Sequence, residues 1–393
     1  MSFEILETET RGTIIKVVGV GGAGGNAVQH MIARGVQGVE FICANTDHQA
    51  LARSSSKNIL QLGKTGLGAG SRPEAGRAAA EEARDRIADA LRGAHMVFIT
   101  AGMGGGTGTG AAPVFAEIAK DLGILTVAVI SKPFEFEGPK RMKLAEAGVT
   151  QLEDTVHSLI VILNNKLEEV MGEDAEMAEC FRAADDVLHN ACAGIAEIIN
   201  VPGLVNVDFE DVKTVMSEQG KAMMGTALAS GLDRARIAAE QAVASPLLEG
   251  VDLSGARGVL VNITASSSLK MKETREVMNT IRAFAADDAT VIFGTVCDES
   301  IDDGLRVTVV ATGLGRAASR KQSTPFTVVR TGTDNAPLTV PIAGSHASSS
   351  DYSDFEKPAI WRTRDSAQTR VAAMEDTGSD RYDIPAFLRK QAD

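Results

Sequence analysis

The sequence predicts an α/β fold in which a parallel-sheet domain is joined by a long central helix to a smaller α+β domain, with a disordered tail beyond it. Three observations predict this. Apolar strand-like runs alternate with helical patterns through the first half of the 393 residues, as in a mostly parallel sheet covered on both faces. Glycine-rich stretches stand between strand and helix in that half. After Arg316 the periodicity dissolves into Ser, Thr, Ala and Asp with scattered prolines, a composition that cannot bury enough apolar surface to fold.

Residues 1–11 are an acidic N-terminal extension. A strand run from Thr13 to Val18 leads into Gly19-Val20-Gly21-Gly22-Ala23-Gly24-Gly25-Asn26, and a helical pattern follows with Val28, Met31 and Ile32 on one face. Such a turn lets backbone N–H groups approach a phosphate at a helix N-terminus. Alone it also matches GxGxxG at Gly19, Gly21 and Gly24. Asp47 lies just past the next strand, Val39–Asn45, near where a dinucleotide fold places its ribose-binding acid. A NAD-binding enzyme is therefore one reading.

Two further glycine stretches separate the alternatives. Gly66-Leu67-Gly68-Ala69-Gly70 precedes Pro73, and the strand run Met96–Thr100 leads through Gly104-Gly105-Gly106-Thr107-Gly108-Thr109-Gly110 into a helical pattern, Ala111–Lys120. A dinucleotide fold needs one phosphate turn, whereas three loops on one sheet edge suit a triphosphate. Gly63-Lys64-Thr65 does not complete a Walker P-loop, because Asn58 stands where its first glycine belongs. The first part of the chain thus reads as a nucleotide-binding domain.

Strand runs at Leu125–Ile130 and Leu159–Leu163 complete that domain. From Glu176 to Asn200 a helical pattern runs without Gly or Pro until Gly194, and Val201-Pro202-Gly203 ends it. The second half mixes helices at Phe209–Ser217, Asp233–Ala244 and Lys272–Ala285 with strands at Gly258–Ala265, Thr290–Val296 and Leu305–Thr312. The boundaries are 12–175, 176–200 and 201–316, then a linker over 317–380 and a terminal peptide over 381–393. In that peptide Asp383 can cap a short helix, Pro385 suits its first turn, Ile384, Phe387 and Leu388 recur at helical spacing, and Arg389 and Lys390 follow. Apolar anchors with basic neighbours fit a helix-in-groove ligand, and a frayed terminus with chance periodicity fits the same residues.

A net charge of −13 argues against nucleic acid as the main partner. No run approaches the length of a transmembrane helix and the start is not signal-like, so a cytoplasmic protein without direct membrane insertion is expected. Cys43, Cys180, Cys192 and Cys297 form no CxxC pair and are expected to be buried thiols; six histidines add no ligand pattern, so no metal cage is expected.

With these residues in view the chain resembles the tubulin/FtsZ superfamily, whose signature is GGGTGTG, and within it the bacterial cell-division branch. The resemblance runs from about Ile14 to Gly315 and returns in Asp383-Ile384-Pro385-Ala386-Phe387-Leu388. It implies a GTPase that forms filaments, with GTP/GDP as ligand and Mg²⁺ adding positive potential. It implies phosphate contacts from Gly22, Ala23, Gly24, Gly25, Asn26, Ala69, Gly70, Gly104, Gly105, Gly106, Thr107, Gly108 and Thr109. Glu137 and Arg141 match the ribose and phosphate clamp, although spacing alone favours a surface ion pair. Phe181 and Asp185 match the positions that stack on and read the base, with Asn26 and Asn164 as further contacts. Leu163-Asn164-Asn165 departs from the Pro-Asn-Asp often found there.

The segment Asn206-Val207-Asp208-Phe209-Glu210-Asp211-Val212 matches the catalytic loop, so Asn206, Asp208 and Asp211 are the expected catalytic residues. Asp208 and Asp211 can face one point at a helix start and orient a water, and capping by Asp208 explains the same spacing. If Asp185 touches the base, the helix from Asp185 to Asn200 carries these acids about 22 Å away from their own nucleotide. Head-to-tail stacking, with the acids of one subunit completing the site of the next, reconciles the two, and such a contact makes a filament. Hydrolysis then follows assembly, and the GDP left behind weakens the contact. The terminal peptide, Asp383, Ile384, Pro385, Phe387, Leu388, Arg389 and Lys390, is expected to bind membrane-tethering and regulatory division proteins at a mid-cell ring. A tubulin-like filament with another duty, such as plasmid segregation, is the alternative.

Overall fold

A computed structural model of the chain describes residues 12–172, 175–201, 203–218, 220–245, 256–286 and 289–314. The N-terminal extension, the linker and the terminal peptide all lie outside the described residues.

The first half runs β1 (Ile15–Val20), α1 (Gly21–Ala33), β2 (Val39–Asn45), α2 (His48–Ala52), β3 (Asn58–Gln61), α3 (Pro73–Glu82), α4 (Arg84–Leu91), β4 (Met96–Gly102), α5 (Thr107–Asp121), β5 (Leu125–Lys132), α6 (Pro139–Thr155), β6 (Ser158–Leu163) and α7 (Asn164–Met171). The central helix is α8 (Met177–Asn200). Then come α9 (Phe209–Met216), β7 (Lys221–Ser230), α10 (Arg234–Val243), β8 (Gly258–Ala265), α11 (Met271–Arg282), β9 (Thr290–Cys297) and β10 (Gly304–Leu314).

Ten strands form one sheet in the order β3-β2-β1-β4-β5-β6-β7-β10-β8-β9. The six strands from β3 to β6 pair in parallel, and β10 pairs antiparallel with β7 and β8. The two halves meet through a short parallel contact, Leu159 beside Lys221 and Ile160 beside Ala222. Strand order reverses direction around β1 and β4, so their carboxyl ends open a crevice suited to a ligand.

One core lies between the sheet and α1 and α8, from Val17, Met31 and Phe98 through Leu188 and Ile195 to Val212 and Val310. Burying each such Leu or Ile contributes about 1.5–3 kcal/mol, so α8 is held along most of its length by both halves. A second core packs α3 to α6 on the opposite face of the parallel half, and a third packs α10 and α11 on β8 and β10. Buried Arg234 fastens α10 to α11 through Glu273 (2.7 Å).

Gly108, Gly110 and Pro113 are poor helix residues, yet α5 forms because every residue from Gly108 to Ala116 is buried. Its close approach to α3 requires Gly110, where a Cβ would run into the Pro73 carbonyl. Helices α3 and α4 fill the helical interval between β2 and β4, whereas strands β3 and β7 lie outside the runs that the sequence predicts. In β7 the run Lys221-Ala222-Met223-Met224-Gly225 is short of β-branched residues, and its pairing with β10 overrides that weak preference. The expectation of buried cysteines holds for Cys43, Cys180 and Cys192 but not for Cys297, which is exposed at the end of the sheet's edge strand.

Candidate nucleotide-binding site

The carboxyl ends of β1, β2, β4 and β5 open into a cleft of ≈ 500 Å³. Two helices begin at it. Neither α1 nor α5 has a side-chain N-cap or an acidic residue in its first turn, so their leading N–H groups keep no intrahelical partner and attract an anion. Gly22, Ala23 and Asn26 of α1 line the cleft with Gly105, Gly106, Thr107 and Gly108 of the signature loop and with Ala69 and Gly70 of the second loop.

Of the remaining residues expected of these loops, Gly24, Gly104 and Thr109 take part in packing or hydrogen bonding within the protein. A Cβ on Gly24 would run into the Thr100 carbonyl of β4, so Gly24 is a packing contact between α1 and the sheet. Gly25 lines a smaller adjoining cavity of ≈ 130 Å³. Gly104 has φ +92° and would set a Cβ 2.8 Å from the Arg141 carbonyl, so its bare backbone admits the start of α6. Thr109, buried in α5, accepts the Gly104 N–H at 2.9 Å and holds the loop's entry. The expected ligand contacts at Gly24, Gly25, Gly104 and Thr109 are thus not among the residues lining the cleft.

That approach of α6 brings Glu137 and Arg141 to the cleft. They form an ion pair of 2.6 Å, and Glu137 also accepts the Phe134 N–H at 2.9 Å. The ion pair that their spacing suits is present, and both residues line the cleft. Lys132 at the end of β5 lines the same wall and has no ion pair with any described residue.

At the other end, Phe181 and Asp185 project from the first turns of α8 into the cleft. Phe181 is 43 % exposed, and its ring meets buried Phe134 edge to face, with centroids 5.3 Å apart. Burial pushes the Asp185 carboxyl up to about 6; His30 opposes the shift and Asp186 adds to it. Asn164, buried at the start of α7, has a side-chain oxygen with no hydrogen-bond partner among the described residues and lines the cleft. An orphaned acceptor beside a half-buried carboxylate and a free aromatic face fits a flat ligand edge rich in N–H donors.

Asn45, Ser71, Ser131 and Lys132 carry no motif in the sequence and Asp47 suits only a dinucleotide fold there, yet all line the cleft. Their common signal is position at the carboxyl edge of a parallel sheet or on its connecting loops. Ser71 carries a further mark, a left-handed backbone with φ +54°. Among the described residues no group of three or more His, Cys, Asp or Glu side chains could hold a metal ion. Asp47, Asn45 and Thr107 are hard oxygen donors among the residues that line the cleft.

Asn206, Asp208 and Asp211 do not line the cleft. They follow the far end of the 24-residue α8, on an exposed segment. Asn206 accepts the Gly203 N–H at 2.8 Å, bracing the loop. Asp208 caps α9 by accepting the Asp211 N–H at 2.8 Å. The Asp211 carboxylate is exposed and has no partner among the described residues.

Two family models match the chain: "Tubulin/FtsZ family, GTPase domain" over residues 14–172 and "FtsZ family, C-terminal domain" over residues 220–315. The cell division protein FtsZ of Coxiella burnetii is 53 % identical over 99 % of both chains. That of Pseudomonas aeruginosa is 52 % identical over the whole of both. A solved structure of an empty FtsZ dimer from M. jannaschii superimposes with a TM-score of 0.74 at 42 % identity, covering 78 % of this chain and 89 % of that one.

Proposed function

The chain belongs to the FtsZ branch of the tubulin/FtsZ family, and from that premise we propose how its cleft and its exposed acids act together. The protein is a GTPase of cell division that forms tubulin-like filaments. The uncapped starts of α1 and α5 hold the phosphates, with Lys132 and Arg141 adding positive charge in a chain of net charge −13. Phe181 stacks on guanine, while Asp185 and Asn164 accept its N–H donors. Bound Mg²⁺, carried by the phosphates near Asp47 and Thr107, would neutralise charge on the triphosphate.

Hydrolysis needs a group that orients water, and the carboxylates facing the cleft are already engaged or serve the base. Glu137 is held by Arg141 and Phe134, and Asp47 caps α2 by accepting the Gln49 N–H. The observation that carries the proposal is the separation of Asp185 from Asp211 by the length of α8. A second copy stacked head to tail brings its Asp208 and Asp211 to the nucleotide of the first, where they orient the attacking water. Exposed apolar side chains at both ends support such a contact: Leu67 (88 %) and Phe136 (60 %) beside the cleft, Leu204 (76 %) on the loop before the acids. The contact is heterologous and does not close, which gives a filament. Recruitment of membrane-tethering division proteins by the terminal peptide, at a ring in mid-cell, completes the reading.

Mixing tests it. Gly105→Ser, defective at the cleft, and Asp211→Ala, defective at the acids, should hydrolyse GTP faster together than the sum of the two alone, and turnover per subunit should fall on dilution. No gain on mixing, with turnover independent of concentration, would overturn the shared site.

A further inference from the structure

The loop that carries the acids is fastened to the edge strand of the sheet at one residue. The Thr295 N–H of β9 donates to the Val205 carbonyl at 3.0 Å. The Val205 N–H donates in return to Thr295 Oγ1 at 2.8 Å. Gly203 lies so close that a Cβ there would run into the Thr295 carbonyl. The preceding residue, Gly294, leaves room for Ile198 of α8 and Val207 of the loop, both of which a Cβ would crowd. Thr295 itself is 4 % exposed, so neither hydrogen bond is exchanged freely with water.

These contacts join segments 90 residues apart. Among the described residues between the end of α8 and Asp208 there is no regular structure, and Asn206 ties the loop back to Gly203. Without Thr295 the Val205 N–H is left unpaired and the loop loses its side-chain anchor to β9. Since catalysis across two chains depends on where Asp208 and Asp211 stand, a loop displaced by about 1 Å is enough to cost about 100-fold in rate.

We propose that Thr295 is a positioning residue for hydrolysis: its hydroxyl pins Val205 so that the acids of one subunit reach the nucleotide of the next. This rests on the shared-site reading above. It predicts that Thr295→Val behaves as a defect of the acid end alone. The variant should bind GTP with wild-type affinity and co-sediment as filaments, while turnover falls about 10- to 100-fold. Thr295→Ser, which keeps the hydroxyl, should restore turnover to within about threefold, a rescue that loss of packing would not give.

The mixing experiment assigns the defect to one end. Thr295→Val with Gly105→Ser should exceed the sum of the separate samples, because intact loops of the first can meet intact acids of the second. Thr295→Val with Asp211→Ala should show no gain, since both lack a competent acid end. Asp211→Ala with Gly105→Ser is the control: no gain there removes the shared site, and the proposal with it. A gain in the control with wild-type turnover by Thr295→Val overturns the pin alone. So does weakened GTP binding by Thr295→Val, or a Thr295→Ser variant as slow as Thr295→Val.

Discussion

Asp208 accepts the backbone N–H of Asp211 at 2.8 Å and so caps the helix on which Asp211 stands. The cap engages one oxygen of Asp208, whereas the whole Asp211 carboxylate has no partner among the described residues. Spacing suits both a cap and a water-orienting pair; the cap is present, and it gives Asp208 a structural duty that Asp211 lacks.

That division separates two substitutions. Asp211→Ala should lower GTP turnover at least tenfold with stability changed by less than about 0.5 kcal/mol. Asp208→Ala should also cost about 1 kcal/mol through the lost cap, whereas Asp208→Asn keeps an oxygen for the Asp211 N–H and should spare stability. Thermal melts beside steady-state hydrolysis check this. An Asp211→Ala protein that melts well below Asp208→Ala would reverse the assignment.

Glycines of the signature loop should fail in two different ways. A Cβ on Gly105 meets no protein atom within 4 Å and would stand in the cleft, so Gly105→Ser should fold normally and lose GTP affinity or turnover. Gly110→Ala would press into α3 at the Pro73 carbonyl and should destabilise by about 1–3 kcal/mol. Circular dichroism melts and nucleotide titrations read the two effects separately. Wild-type affinity and turnover in Gly105→Ser would remove that loop from the site.

Guanine affinity should depend on pH through Asp185. Its carboxyl, raised to about 6 by burial, must be ionised to accept N–H donors from the base, so binding favours the deprotonated form. Affinity is therefore full above pH 7 and weakens as pH falls through 6, approaching tenfold per unit below it. Asp185→Asn should flatten this profile at a lower plateau. A wild-type profile equally flat from pH 5.5 to 7.5 would show that Asp185 does not meet the base.

Residues Asp383–Asp393 should be dispensable for assembly and needed for recruitment. Deleting them should leave GTP-dependent sedimentation within about twofold of the full chain while abolishing binding to membrane-tethering division proteins. Loss of sedimentation itself would count against a separate recognition peptide.

Much of this protein was decided locally, and those parts were legible. Short apolar runs mark β1, β2, β4, β5 and β6 and the helical period marks α8, because a strand covered on both faces of a parallel sheet is apolar throughout. The strand-loop-helix setting of Gly104–Gly110 is local too, and Gly105, Gly106, Thr107 and Gly108 of that stretch line the cleft. What tertiary structure alone decided are contacts between distant segments. Gly24 and Gly105 look alike in sequence, yet one packs against Thr100 and the other faces the cleft. Lys132 and Asn45 carry no motif and reach the site only because their strands end at one sheet edge. Thr295 is an unremarked residue of a strand until Val205 folds onto it from 90 residues away. Local periodicity records which face of an element is buried, but the partner on that face is selected by packing and hydrogen bonding among all the elements at once.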